Sequence, residues 1–238
     1  MMIRLWMIAV APGIALALGI YLTDRYDREP IGLLVKVFLL GALSVIPIAV
    51  IESILVRFNI FSGVLGVVYV SFIVAGFTEE FFKRSVVLRS AYNHSAFDEK
   101  LDGIVYSVFS ALGFATVENI MYIVFRFSAN AYIGLYRGIL SVPAHMLFGV
   151  TMGYYLSIAK FSMDEEIRRR NLKKALLIPM LLHGIFDFIL MSKIPMLMVL
   201  FIPFVLYLWA INLKKLNRYV RESKDKHKSI IDRKDFDK

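Results

Sequence analysis

The chain contains no cysteine. Disulfides, thiolate metal sites and a cysteine nucleophile are therefore excluded, and the redox compartment is left open. Charge is scarce as well: 20% of the 238 residues are Asp, Glu, Lys or Arg. Neither the H-E-x-x-H pattern of a zinc protease helix nor the G-x-S-x-G turn of a serine hydrolase occurs. No internal repeat or low-complexity tract stands out. What remains is apolar. Hydrophobic residues make up 58% of the chain, and the mean hydropathy is +0.66. Such a composition points away from a soluble domain and toward an all-α, polytopic membrane protein.

A helix needs roughly 20 mostly apolar residues to cross a bilayer. Seven candidate spans follow, at roughly 5–22, 31–56, 63–82, 101–125, 138–159, 175–191 and 195–213. Residues 1–213 thus read as one transmembrane domain and 214–238 as a polar tail. The formal charge of +9 resides in the connections and the tail. With the N-terminus outside, only five of the 28 Lys and Arg (Arg4, Arg57, Arg126, Arg137 and Lys193) fall on the outer side. The positive-inside rule therefore places the C-terminus in the cytoplasm. A cleaved signal peptide at the first span would invert this balance, so that span reads as a retained helix. The basic tail reads as a cytoplasmic segment beside anionic lipid, not as a nucleic-acid site.

Ionisable groups inside a span are expensive and usually face a cavity or a partner. Glu118 sits deep in its span with Asn119 beside it. His145 precedes Gly149 and Gly153 on one helix face, where small residues let another backbone approach. His183 and Asp187 are spaced i, i+4, so the carboxylate can orient the imidazole. Pro179, one turn earlier, removes a backbone hydrogen bond and can kink that helix. Glu79 and Glu80 stand i, i+4 to Lys83 and Arg84 respectively. Neighbouring residues on a helix point about 100° apart. The doublet is therefore expected to divide: Glu79, on the face of Ser71 and Ala75, enters the bundle, and Glu80 is held by Arg84. Two histidines and a glutamate (His145, His183 and Glu118) suit a catalytic zinc with one open position. A remaining glutamate can act as general base on water. Buried Glu, His and Asp also mark proton- or ion-coupled transporters, which form the rival class. The absence of an inverted repeat weighs against that class.

Several stretches together resemble the PrsW family of intramembrane proteases. They are "APGIAL", "DRYDREP", "EEFFK", "FDEKLDGIVYSVFSALGFATVEN", "VPAHMLFGVTMGYYL" and "LLHGIFDFIL". The wider group of CAAX-prenyl and bacteriocin-processing membrane proteases is similar in an E-E-x-x-x-R pattern (Glu79, Glu80, Arg84) and an H-x-x-x-N/D pattern (His183, Asp187). Its F-x-x-x-H pattern is not met, because Ser141 stands four residues before His145. The resemblance implies a multi-pass cell-membrane endopeptidase. It implies a site-1 protease that cuts the extracytoplasmic part of a single-span anti-sigma factor. It implies catalytic roles for Glu79, Glu80, Glu118, His145 and His183, with Lys83, Arg84, Asn119 and Asp187 supporting. Zinc-assisted and metal-free glutamate-activated water both remain compatible with it.

One expectation is awkward. At about 1.5 Å per residue, Glu118, His145 and His183 lie roughly 10–12 Å from the outer surface. Glu79 lies about 25 Å from it if its helix starts near residue 63. Either this helix is tilted, broken near Gly76 or starts later, or Glu79 is outside the site and the doublet is a charged cytoplasmic edge.

Overall fold

The computed structural model describes residues 2–126 and 131–236, with side chains described except at 131–137 and 233–236. Arg137 and the tail residues Arg233, Lys234, Asp235, Asp237 and Lys238, counted above for their charge, lie outside the described side chains. Every regular element among the described residues is helical: α1 (Met2–Thr23), α2 (Ile31–Leu43), α3 (Val45–Arg57), α4 (Gly63–Val68), a π-helical segment (Tyr69–Phe77) and α5 (Thr78–Ser90). Then follow α6 (Lys100–Ile120), a second π-helical segment (Met121–Arg126), α7 (Ala131–Lys160), α8 (Glu165–Ser192) and α9 (Pro195–Phe236). By length and composition, seven helices among the described residues can cross a membrane, as the hydropathy pattern predicts.

The outer wall of this bundle is greasy. Leu18, Leu22, Val35, Leu39, Val199 and Leu206 are among many large apolar side chains left exposed on α1, α2 and α9, as a surface facing lipid requires. The core is α6. Nearly all its side chains are buried, because α1, α2, α5 and α7 pack around it. Glycines set the distances. A Cβ at Gly153 of α7 would fall 2.1 Å from the carbonyl oxygen of Gly103, so α6 and α7 touch backbone to backbone there. Gly41 and Gly113 do the same between α2 and α6.

One expected span carries a break. The span at 31–56 is divided into α2 and α3 around Ser44. Pro47 has no N–H to offer the carbonyl of residue 43, which opens the helix at that turn. α9 runs as one helix from Pro195 to Phe236, through the polar stretch that follows its apolar half. Its polar half lies against the rest of the chain through Lys226, whose Nζ is 2.9 Å from Asp98 and 3.3 Å from Asp27, and through Glu222, 2.9 Å from Lys100.

At that end the chain segments "DRYDREP" and "FDEKLDG" meet. The Glu29 N–H donates to Asp24 (3.1 Å), and the N–H groups of Asp98 and Glu99 donate to Asp102 (2.8 and 2.7 Å). Tyr106 donates to Glu29. These motifs tie helix ends together. Burial pushes Asp24 up to about 6 and Glu29 up to about 7.

Candidate catalytic site

The π-helical segment solves the depth problem. A π-turn adds a residue to the turn and re-aims the helix that follows. Here it runs from Tyr69 to Phe77 and delivers α5, which starts at Thr78, against α8. Two glycines allow the approach. A Cβ at Gly76 would meet the carbonyl oxygen of Met180 at 3.0 Å, and one at Gly184 would lie 2.3 Å from the Phe72 ring. Glu79 and Glu80 thus arrive beside His183, which immediately precedes Gly184.

Both carboxylates enter the same cluster. Lys83 Nζ is 3.1 Å from Glu79 Oε2, 2.7 Å from Glu80 Oε1 and 3.1 Å from His145 Nδ1. His183 Nδ1 is 3.0 Å from Glu80 Oε1 and 3.9 Å from Glu79 Oε2. The expected division of the doublet by Arg84 is therefore corrected. Glu80 is held by Lys83 and His183, and Arg84 Nε has no hydrogen-bond partner among the described residues. The reason is that Lys83 stands i+4 from Glu79 and i+3 from Glu80, so one flexible amine reaches both. The two glutamates still differ in surroundings. Glu80 is fully enclosed, whereas Glu79 lines a cavity.

The imidazoles are set on their far sides by further carboxylates. His145 Nε2 is 3.1 Å from Glu118 Oε2, and His183 Nε2 is 3.4 Å from Asp187 Oδ2. Both rings therefore turn Nδ1 toward the cluster. The rings meet edge to face with centroids 5.1 Å apart. Phe148 stacks on His183, and Phe114 lies under Lys83 Nζ at 4.4 Å. Ser110 donates to the Lys83 carbonyl (3.0 Å), which pins α5 to α6. Asn119 points elsewhere: its Nδ2 donates to the Ala9 carbonyl (2.9 Å) and ties α6 to α1.

Glu79, Glu80, His145 and His183 each offer one donor atom, and these atoms all lie within 4.8 Å of one another. This group could hold a metal ion. Glu118, expected among the ligands, is separated from the group by the His145 ring.

Two cavities open on the cluster. One, of about 860 Å³, reaches Glu79 from between α3 and the first π-segment; the other, of about 510 Å³, reaches His145 and His183. They share Glu118, Tyr122, Arg126, Asp187 and Met191 as a common wall. Glu52 of α3 faces the larger cavity and is absent from the expected site. The available signal is a lone carboxylate in "VIPIAVIESILVR", but it lies near a span end, where charge is cheap.

Comparison with known proteins supplies the chemistry. Residues 29–211 match a family model described as PrsW family intramembrane metalloprotease. The chain is similar to Protease PrsW of Clostridioides difficile (strain 630), with 46% identity over 94% of each chain. It is 41% identical to Protease PrsW of Bacillus subtilis (strain 168), over 88% of this chain and 92% of the relative. Protease PrsW of Halalkalibacterium halodurans is 36% identical over 87% and 93%. No solved structure matches.

Proposed function

Since the chain belongs to the PrsW family of intramembrane metalloproteases, and is a multi-pass membrane peptidase, we propose that it hydrolyses its substrate at the Glu79–Glu80–His145–His183 cluster. The observation that carries this reading is the pair of carboxylate-backed imidazoles, Glu118 on His145 and Asp187 on His183. The family membership replaces the ion-coupled transporter weighed above.

The donor set fits a divalent ion. Two imidazoles with a carboxylate match zinc, and metal-bound histidines have their second nitrogen held by a carboxylate. Glu80, His145 and His183 would hold the ion, leaving Glu79 beside the cavity. Bound there, zinc would polarise the scissile carbonyl and acidify a water. Lys83 bonds three of the same four residues, so its ammonium and the ion compete for those atoms.

Glu79 acts as general base. Its carboxylate takes a proton from water as the water oxygen attacks the peptide carbonyl carbon. The proton then passes to the amide nitrogen as the C–N bond breaks, releasing an amine and a carboxylic acid, between which the remaining proton of the water redistributes. Glu118 and Asp187 fix the imidazole tautomers that leave both Nδ1 atoms facing the cluster.

The substrate is a single-span membrane protein, cut in its extracytoplasmic part, of the anti-sigma factor class. The resemblance to the family and the charge bias of the connections support this. The bias places the N-terminus outside and the basic tail, residues 214–238, in the cytoplasm. A cysteine introduced at Ser229 is expected to resist membrane-impermeant thiol reagents in intact cells; ready labelling contradicts that orientation. The activity itself is tested with the purified chain in lipid nanodiscs and a single-span anti-sigma factor, with and without chelator. Discrete fragments that vanish with chelator and return with zinc support the reading. An intact substrate under all conditions contradicts it.

A further inference from the structure

The larger cavity holds a carboxyl group that the hydrolysis described above does not use. Glu52 of α3 lines that cavity together with Glu79. The Glu52 Oε1 atom is buried and has no hydrogen-bond partner among the described residues. Glu79 and Glu118 line the same cavity. The Lys83 amine and the His183 Nδ1 atom are already engaged by Glu80. Arg126 and Asp187 also line the cavity. Val45, Ile48, Val70 and Val74 are among the aliphatic side chains that line the same cavity.

A buried acceptor without a donor is unfavourable, and more so if it is charged. A site of this kind rewards a ligand that brings the donor. The walls restrict the choice further. A side chain that lays an aliphatic stem along valine and isoleucine and ends in a cation fits both features, and lysine and arginine are the side chains built so. The cavity, at about 860 Å³, is in the size range that binds whole ligands, so it can take an extended stretch of chain with one long side chain turned toward α3.

We propose that Glu52 is a specificity-determining residue: the cavity between α3 and the first π-helical segment receives a lysine or arginine side chain of the substrate, close to the scissile bond, and Glu52 pairs with its cationic end. This rests on the peptidase reading of the neighbouring cluster. It places the basic residue on the Glu79 side of the cut, and the segment on the other side of the cut lies in the smaller cavity by His145 and His183.

The test uses the full chain in nanodiscs and a series of fluorogenic single-span peptides. Each peptide carries lysine, norleucine or glutamate at one position, stepped through the residues flanking the cut. Norleucine keeps the aliphatic stem without the charge. The readout is the ratio of kcat/KM for lysine over norleucine at each position. The expected result is one position where this ratio is about 10 or more, in line with the discrimination of a pocket that pairs a substrate polar group. Glu52→Gln should bring the ratio toward one. Glu52→Lys should favour glutamate over lysine at that same position, and Glu52→Asp should retain the lysine preference. Because these are ratios within one variant, partial misfolding does not alter them. A wild-type ratio near one at every position overturns the proposal, as does a preference unchanged in Glu52→Gln and Glu52→Lys. Failure of the wild type to cut any peptide contradicts the peptidase reading itself, and the proposal with it.

Discussion

His145 and His183 come from different helices, α7 and α8, yet their rings meet edge to face at 5.1 Å and both present Nδ1 to one cluster. Each is backed at Nε2 by a carboxylate, Glu118 from α6 and Asp187 from α8. Four helices thus converge within a few ångströms of Lys83. In the proposed mechanism this arrangement separates groups that face the reacting atoms from groups that aim them, and that separation can be measured.

Glu118 and Asp187 are expected to act through the imidazoles. Glu118→Gln and Asp187→Asn should each lower zinc affinity and kcat by about 10- to 100-fold, the range for such outer partners, with the helical fold kept. Zinc titration of the purified variants, read beside the cleavage rate, checks this. Wild-type zinc affinity in both variants would leave the carboxylates without an aiming role.

The approach of α5 to α8 depends on small residues. Gly184→Ala would drive a methyl group into Phe72 and push the Glu79–Glu80 helix from His183. Overpacking of this kind typically destabilises by about 1–3 kcal/mol. The expected result is a lower thermal midpoint and a loss of cleavage larger than the loss of folded protein. Gly19→Ala, at a site with open space around it, should change neither.

The cluster that joins the α1–α2 connection to the polar half of α9 makes stability depend on pH. Asp24 and Glu29 are raised in the folded chain by burial, to about 6 and about 7, from 3.8 and 4.5. The folded state therefore binds protons more tightly than the unfolded one. Their contribution is fully present below about pH 4 and is lost as pH rises through 6 and 7. Thermal unfolding in detergent should show a falling midpoint from pH 5 to pH 8. Glu29→Gln should flatten that slope, and an unaltered slope would contradict the assignment.

The sequence shows much of this arrangement, and its limits have physical causes. Glu118, His145 and His183 stand out because a polar group in mid-span has no water to turn to. The His183–Asp187 pair is legible from helical spacing alone. The partner of Glu80 is not. Spacing allows both Lys83 and Arg84, and the choice depends on how the π-segment rotates α5, which no local residue pattern specifies. Glu52 escapes notice because a carboxylate near a span end reads as an interfacial charge. Only the packing of α3 shows that it faces a cavity. The continuation of α9 through the tail is hidden for another reason: its polar half is held by contacts with Asp27, Asp98 and Lys100, distant in sequence.

The central claim is that Glu79, the member of the doublet open to the cavity, takes the proton from water, while Glu80 holds the cluster together. It is tested most directly by measuring both cleavage rate and bound zinc in Glu79→Gln and Glu80→Gln, each normalised to folded protein. The account predicts that Glu79→Gln keeps its zinc but loses about 10²–10⁴-fold in kcat, the contribution of a general base. It predicts that Glu80→Gln loses zinc and yield of folded protein first. A Glu79→Gln chain that cleaves at the wild-type rate, beside a zinc-replete but inactive Glu80→Gln chain, would contradict it.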